Sequence, residues 1–199
     1  MIQSIRMGLV VCLLGFATTA ARADLVVNGG FETGDFTGWT TVAAQTTFGG
    51  FGVTPQNPHS GNYDAYFNQF FGLNSIRQNL TTVSGSSYNL DFWLQIGGDR
   101  DAEINALVGG LTVLSITNTP STTTYSEYTF TFLATASITS LEFQVNNGVG
   151  FAFNEVAWLD DVSVTQLRSV PEPASLTMLA LGGLGLISYT LRRRKQRLA

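Results

Sequence analysis

The stretch SYNLDFWLQI, residues 87–96, alternates without a break. Tyr88, Leu90, Phe92, Leu94 and Ile96 fall on one side of an extended chain, and Asn89, Asp91, Trp93 and Gln95 on the other. A helix would scatter five such apolar side chains around its axis, whereas a strand aligns them against a core and leaves the polar row outside. The same period recurs in YTFTFL (Tyr128, Phe130, Phe132) and in SLEFQV (Leu141, Phe143, Val145). These are half-buried antiparallel strands. Weaker strands are expected over 25–28, 39–47, 63–67, 75–80, 102–108, 111–116 and 156–165. They are separated by turn-formers: Gly49-Gly50, the run from Pro55 to Gly61, Ser84-Gly85-Ser86, Gly97-Gly98, Gly109-Gly110 and Asn146-Asn147-Gly148. About ten short strands at this spacing predict an all-β fold, a two-sheet antiparallel sandwich. No amphipathic helical pattern and no internal repeat precedes the last thirty residues.

The two ends are unlike the middle. Arg6 leads into an apolar run from Met7 to Ala17, followed by small residues and Ala21-Arg22-Ala23. This is the three-part layout of a secretory signal peptide, with signal peptidase expected to cut between Ala23 and Asp24. Cys12, the single cysteine, falls inside the segment removed, so the exported body has no thiol, disulfide or cysteine ligand. At the other end Ser175 to Leu191 is seventeen residues without a formal charge, followed by Arg192, Arg193, Arg194, Lys195 and Arg197. As a helix that run would be roughly 25 Å long, just enough to span a bilayer core. The basic cluster would stay cytoplasmic and the body outside. Pro171 and Pro173 hold the preceding segment extended and accessible. The organisation expected is therefore a signal peptide (1–23), a sandwich (24–167), a linker (168–174), a transmembrane helix (175–191) and a basic cytoplasmic tail (192–199).

Between Asp24 and Ser169 three basic residues, Arg77, Arg100 and Arg168, stand against thirteen acidic ones, a net charge of −10. Such a body repels nucleic acid and anionic membranes, which excludes a nucleic-acid partner, and leaves cations and neutral sugars as candidate ligands.

Val170-Pro171-Glu172-Pro173, an apolar segment bearing Gly182, Gly183 and Gly185, and the terminal Arg192-Arg193-Arg194 together resemble the PEP-CTERM sorting signal. The resemblance covers about the last thirty residues. It implies a Gram-negative bacterium whose membrane-embedded exosortase, a cysteine transpeptidase, recognises the tail, cuts near the motif and passes the protein to the cell surface or extracellular matrix, commonly alongside exopolysaccharide. A plain uncut anchor in the inner membrane is the alternative. In the body, Asn28-Gly29-Gly30-Phe31-Glu32 with Gly38-Trp39, Pro58-His59-Ser60-Gly61, and Trp158-Leu159-Asp160-Asp161-Val162-Ser163-Val164 resemble signatures of galactose-binding-like jelly rolls. That is the fold of many carbohydrate-binding modules, and the resemblance narrows the sandwich to a jelly roll.

Glu32, Asp160 and Asp161 fall on the opening and closing segments, which a jelly roll sets near each other at one edge. Like charges facing across paired strands are destabilising, and a cation would relieve them. Calcium takes about six to eight oxygens from carboxylates, carbonyls and water. The resemblance implies the same ion, since modules of this type often hold a structural calcium at the corresponding edge. By alternation Asp160 shares a face with Val162 and Val164 and is preferred, with Glu32, over Asp161. Asn28 or Gly30 would add a carbonyl, and a solvated acidic edge is the alternative. The run Asp99-Arg100-Asp101-Ala102-Glu103 lacks the glycine that a helix–loop–helix calcium loop requires and reads as a polar loop.

Trp93, flanked by Asp91 and Gln95 on the outward row, is a candidate sugar-stacking residue. Cover by a loop such as 48–58 is the competing reading. Tyr66, Phe70 and Phe71 fit a core or a platform equally, Trp39 a core plug, and Trp158 a partner for the final strand. His59 is the only histidine, so multi-histidine zinc sites and cysteine nucleophiles are excluded within this chain, and a Ser-His-Asp triad would need that one loop residue. No catalytic signature is present. The expectation is an exported non-enzymatic protein, structural or polysaccharide-binding, with a carbohydrate-active enzyme on the same sandwich as the alternative.

Overall fold

The computed structural model describes residues 23–43, 49–69, 72–97, 102–117, 121–147, 156–167, 182 and 184. Ten strands lie among them: β1 (Thr40–Val42), β2 (Gly49–Thr54), β3 (Asp64–Gln69), β4 (Gly72–Thr81), β5 (Ser87–Gly97), β6 (Ala102–Val108), β7 (Leu111–Thr117), β8 (Ser126–Leu133), β9 (Ile138–Asn147) and β10 (Val156–Gln166). They form two antiparallel five-stranded sheets, ordered β1-β4-β9-β6-β7 and β2-β3-β10-β5-β8. The second of these carries the candidate site.

The alternation in β5 is realised along its whole length: Tyr88, Leu90, Phe92, Leu94 and Ile96 are buried and their neighbours half-exposed. Facing them, β9 buries Leu141, Phe143 and Val145. Phe92 meets Phe143 edge-on across the sheets, ring centres 5.0 Å apart. Each such side chain, fully buried, contributes about 1.5–3 kcal/mol. Trp39 is a core plug, as expected. It is buried against Phe31 and Phe143, and its indole N–H donates to the Asn28 carbonyl at 3.2 Å.

Two strands differ from expectation. Residues 25–28 form no strand; an isolated bridge pairs Asp24 with Thr165, and Leu25 N–H donates to the Val164 carbonyl. Buried Gln78 anchors this segment by bonding both the N–H and the carbonyl of Val27. Gly49-Gly50, read as a turn, instead opens β2. Gly50 and Gly52 lie opposite Asn68 and Tyr66 of β3, and the missing side chain at Gly52 leaves room for the Tyr66 ring. The closing strand is also not at an edge. β10 is the centre of its sheet, between β3 and β5, and the opening segment runs beside its far half.

Asp24 is tied in directly, its carboxylate accepting from the N–H groups of Val26 and Val164. The signal segment before Ala23, the basic tail and the sorting-motif residues Pro171, Glu172, Pro173, Arg192, Arg193 and Arg194 lie outside the described residues, as do Phe70, Phe71 and 99–101. Within the expected tail helix, Gly182 and Leu184 are helical. No helix among the described residues is long and apolar enough to cross a membrane.

Candidate functional site

The site lies on the outer face of the β2-β3-β10-β5-β8 sheet, where a bulge in β10 brings acidic groups beneath a loop. Asp160 pairs with Trp93 and Ser163 with Asp91, so three steps on β10 match two on β5. The extra residue, Asp161, takes φ 50°, a left-handed conformation uncommon for a residue with a side chain. The bulge reverses the alternation. Leu159 points inward before it and Val162 and Val164 after it, so Asp160 does not share their face as strict alternation predicted. It faces outward beside Trp158 and Trp93, and the next position of the β3 register sets Asp64 on its other side.

Asp160 and Asp64 are nevertheless fully buried, because residues 55–63 fold over them. One oxygen of Asp160 accepts from the N–H groups of His59 (2.8 Å) and Ser60 (3.2 Å), the other from that of Asp161 (2.7 Å). Burial pushes its pKa up to about 6, against the lowering effect of these N–H donors, and the Asp161 charge adds to the rise. Asp64 is likewise pushed up to about 6 by burial. Tyr125 Oη lies 3.4 Å from its Oδ2, and its Oδ1 has no partner. Tyr125 donates to the Asn57 carbonyl at 2.8 Å. Burial, together with the Asp64, Asp160 and Asp161 charges, drives its pKa upward and keeps it protonated.

Asp161 holds the loop from outside. Its two oxygens take the Ser60 hydroxyl and His59 Nδ1, each at 2.7 Å. Serine and histidine are thus tied in parallel to one carboxylate, whereas a triad needs them in series. The His59 ring lies flat on Trp93, centres 3.8 Å apart and planes 16° apart, with Tyr125 edge-on at 5.3 Å. The loop therefore covers Trp93 on one side. Asp91 is occupied too, accepting from Asn89 and Thr129, and Gln95 Oε1 accepts from Asn57.

The better-placed aromatic pair is Tyr66 and Trp158, directly opposed on β3 and β10 and both half-exposed. They stand in one row with Gly52 on β2 and Gln95 on β5. The edge of the Trp158 ring sits where a Cβ on Gly97 would be, so only glycine fits there. One position along the same face of β3, Asn68 has a buried side-chain oxygen without a hydrogen-bond partner. Sequence reasoning favoured Trp93 because its own strand alternates so clearly. The signal it missed is that Trp158 is also outward on β10, once the bulge is placed after it.

Asp160 and Asp161 bring carboxylate oxygens to Gly30, whereas Glu32 reaches it through its Cγ, its carboxylate turned to Gly61, Asn62 and Tyr63. A Cβ there would lie 3.5 Å from Asp161 Oδ1, 3.8 Å from Asp160 Oδ1 and 3.8 Å from Glu32 Cγ. Backbone donors already meet much of their charge. Glu32 accepts from the N–H groups of Asn62 (2.8 Å) and Tyr63 (3.0 Å), which lower its pKa. Asn28, with φ 54°, directs its side chain to Thr33, Asp35 and Thr37, and its carbonyl accepts from Phe31 and Trp39. Among the described residues no group of three or more acidic or histidine side chains is spaced to hold a metal ion. A cation at Gly30 would draw most of its oxygens from carbonyls and water.

No curated protein sequence matches this chain. Among solved structures it is similar to TmCBM61 in complex with β-1,4-galactotriose, with TM-score 0.57 and 19% identity over 73% of this chain and 99% of that one. It is similar to a family 16 carbohydrate-binding module, with TM-score 0.54 and 14% identity over 71% and 99%. A third similar structure is the enzymatically active domain of bacteriophage CBA120 tailspike protein 4, with TM-score 0.55 and 16% identity over 72% of this chain, which spans 21% of that one. Residues 169–195 match the PEP-CTERM protein-sorting motif. The chain therefore joins a two-sheet sandwich, of the jelly-roll fold found in carbohydrate-binding modules, to a PEP-CTERM motif that indicates an exported, membrane-passing sorting substrate.

Proposed function

We propose that the protein is a non-enzymatic substrate of an exosortase, carried to the cell surface or extracellular matrix, where its sandwich binds polysaccharide through the Tyr66–Trp158 row. The observation that carries the sugar reading is that row: two directly opposed, half-exposed aromatic side chains on the outer face of the sheet. Aromatic faces stack on the apolar C–H faces of sugar rings. The comparison with carbohydrate-binding modules supports the scaffold, and the sorting motif supports the route.

Raised pKa values at Asp64 and Asp160 are what an acid catalyst requires. Both groups are sealed under His59, Ser60 and Tyr125, out of reach of a substrate oxygen in this arrangement, which favours binding over hydrolysis. A structural calcium at the Gly30 cradle is part of the proposal, supported by the approach of Asp160 and Asp161 oxygens to that position.

The test is titration of purified residues 24–169 with a panel of soluble β-linked glycans, followed by tryptophan fluorescence and by an assay for released reducing ends. A glycan bound by the parent and lost in both Trp158→Ala and Tyr66→Ala supports the row. Binding unchanged in both variants removes the row from the reading, and turnover of any glycan overturns the non-enzymatic assignment.

A further inference from the structure

The end of the sandwich where the chain leaves for its tail is built differently from the rest. Leu167 N–H donates to the Ser87 carbonyl at 2.7 Å, which fixes the exit point beside Leu133, the residue opposite Ser87. Three turns cluster there. Gly85 and Ala134 are joined at 2.8 Å, Thr82 and Ser137 at 2.9 Å, and Gly109 and Ser140 at 2.8 Å. None of residues 82–86, 109–111 and 133–138 carries a formal charge, although the body has a net charge of −10.

The large side chains these turns expose are apolar: Leu111 is 74% exposed, Ile138 62%, Leu133 60% and Val83 58%. Leu111, Leu133 and Ile138 also rim a cleft of about 510 Å³ that opens between the sheets, with Val108, Val113 and Phe132 inside it. Four such side chains around one exit, on turns without a charge of their own, form a patch rather than a scatter, with Asp24, bridged to Thr165, and Arg168, next in sequence after Leu167, as the charges beside it.

We infer that this end is a bilayer-docking rim, in which Leu111, Leu133, Ile138 and Val83 dip into the headgroup–acyl boundary and seat the sandwich upright on the membrane while the tail holds it there. The inference rests on the reading of the tail as a membrane-inserted sorting segment. The length of chain beyond Leu167 argues for lipid as the occupant. Seven residues separate it from Ser175, where the apolar run begins, and they reach at most about 25 Å when extended, so this end cannot leave the membrane's vicinity. Charge argues the same way. An anionic leaflet repels the acidic body, and these charge-free turns, with the cationic Arg168 at the exit, approach it at low electrostatic cost. Apolar side chains presented like this insert roughly 5–10 Å.

The test uses the full chain with Cys12→Ser and one new cysteine at a time: Leu111→Cys and Leu133→Cys at the rim, and Thr117→Cys and Glu127→Cys at the far ends of the same two strands. Each is labelled with a polarity-sensitive fluorophore and reconstituted in phosphatidylethanolamine–phosphatidylglycerol vesicles containing a lipid spin-labelled near the headgroup. Rim labels should be blue-shifted and quenched at least about twofold more than their strand partners, as shallow insertion requires. Protein that fails to float with the vesicles overturns the membrane reading itself. Protein that floats but quenches equally at both ends of each strand overturns the rim alone. Rim labels that are blue-shifted yet indifferent to the spin label also overturn it, and show that the chain's own tail or a second copy fills the cleft; self-quenching that rises with protein density identifies the copy.

Discussion

Replacing Asp64 with asparagine should make the sandwich more stable near neutral pH, relative to its stability in acid, than the parent is. The buried Asp64 carboxyl has its pKa pushed up to about 6 from an ordinary 3.8. A carboxyl with a raised folded-state pKa holds its proton in the native state after the unfolded chain has released it. Between pH 4 and 6 the native state therefore binds more protons, and stability falls as pH rises, reaching its full penalty above 6. Two pKa units at about 1.4 kcal/mol each put that penalty near 3 kcal/mol at pH 7, and about 2–3 kcal/mol of it accrues above pH 4. The side-chain amide introduced by Asp64→Asn cannot ionise, so this component disappears. Its new N–H groups would replace the unpartnered Oδ1 and cost about 1–3 kcal/mol at every pH, which leaves the pH-dependent difference untouched. Urea unfolding of residues 24–169, parent and variant, at pH 4 and pH 7 measures it. The variant should gain about 2–3 kcal/mol on the parent between the two pH values. Parallel stability curves would refute the claim that an ionised carboxylate is held there against desolvation.

Other outcomes follow from the same geometry. Gly61→Ala places a Cβ against Glu32 Oε1 at a residue with φ 63°, so it should break the Asn62 and Tyr63 bonds to Glu32 and destabilise by about 1–3 kcal/mol, read from urea midpoints. Calcium at a hundredfold excess over its dissociation constant should add about 2.7 kcal/mol, and chelator should remove it; superimposable melting curves would delete the ion from the Gly30 cradle. Trp93→Ala should loosen His59 and expose the Asp160 loop to proteolysis while preserving glycan binding at Trp158. Cleavage resistance identical to the parent would show that the stacking does not hold the loop.

The inward rows of β5, β8 and β9 were legible because one strand's own period of two decides which side chains face the core. The meeting of Gly29–Glu32 with Asp160–Val162 was legible only through the motifs, since nothing local to either segment announces the bond from Val162 N–H to the Gly29 carbonyl. The bulge was not legible. It depends on Asp161 accepting a left-handed backbone, an arrangement held by bonds from His59 and Ser60 about a hundred residues away. That single residue changed which face Asp160 occupies and made Trp158, rather than Trp93, the open aromatic. β2 was hidden for a different reason. Gly49-Gly50 signals a turn in isolation, and the Tyr66 ring on the neighbouring strand accounts for the glycine at 52, while a Cβ on Gly50 would meet nothing.

β10 is the last strand to be made, yet it lies in the middle of its sheet, with β3 and β5 on either hand and the opening residues of the body alongside. The β1-β4-β9-β6-β7 sheet has all its strands by Asn147, whereas the other sheet lacks its middle until β10 has been made. The sheet that carries the site therefore closes last, and the Asp160–Asp161 bulge and the loop bonded to it form in that same step.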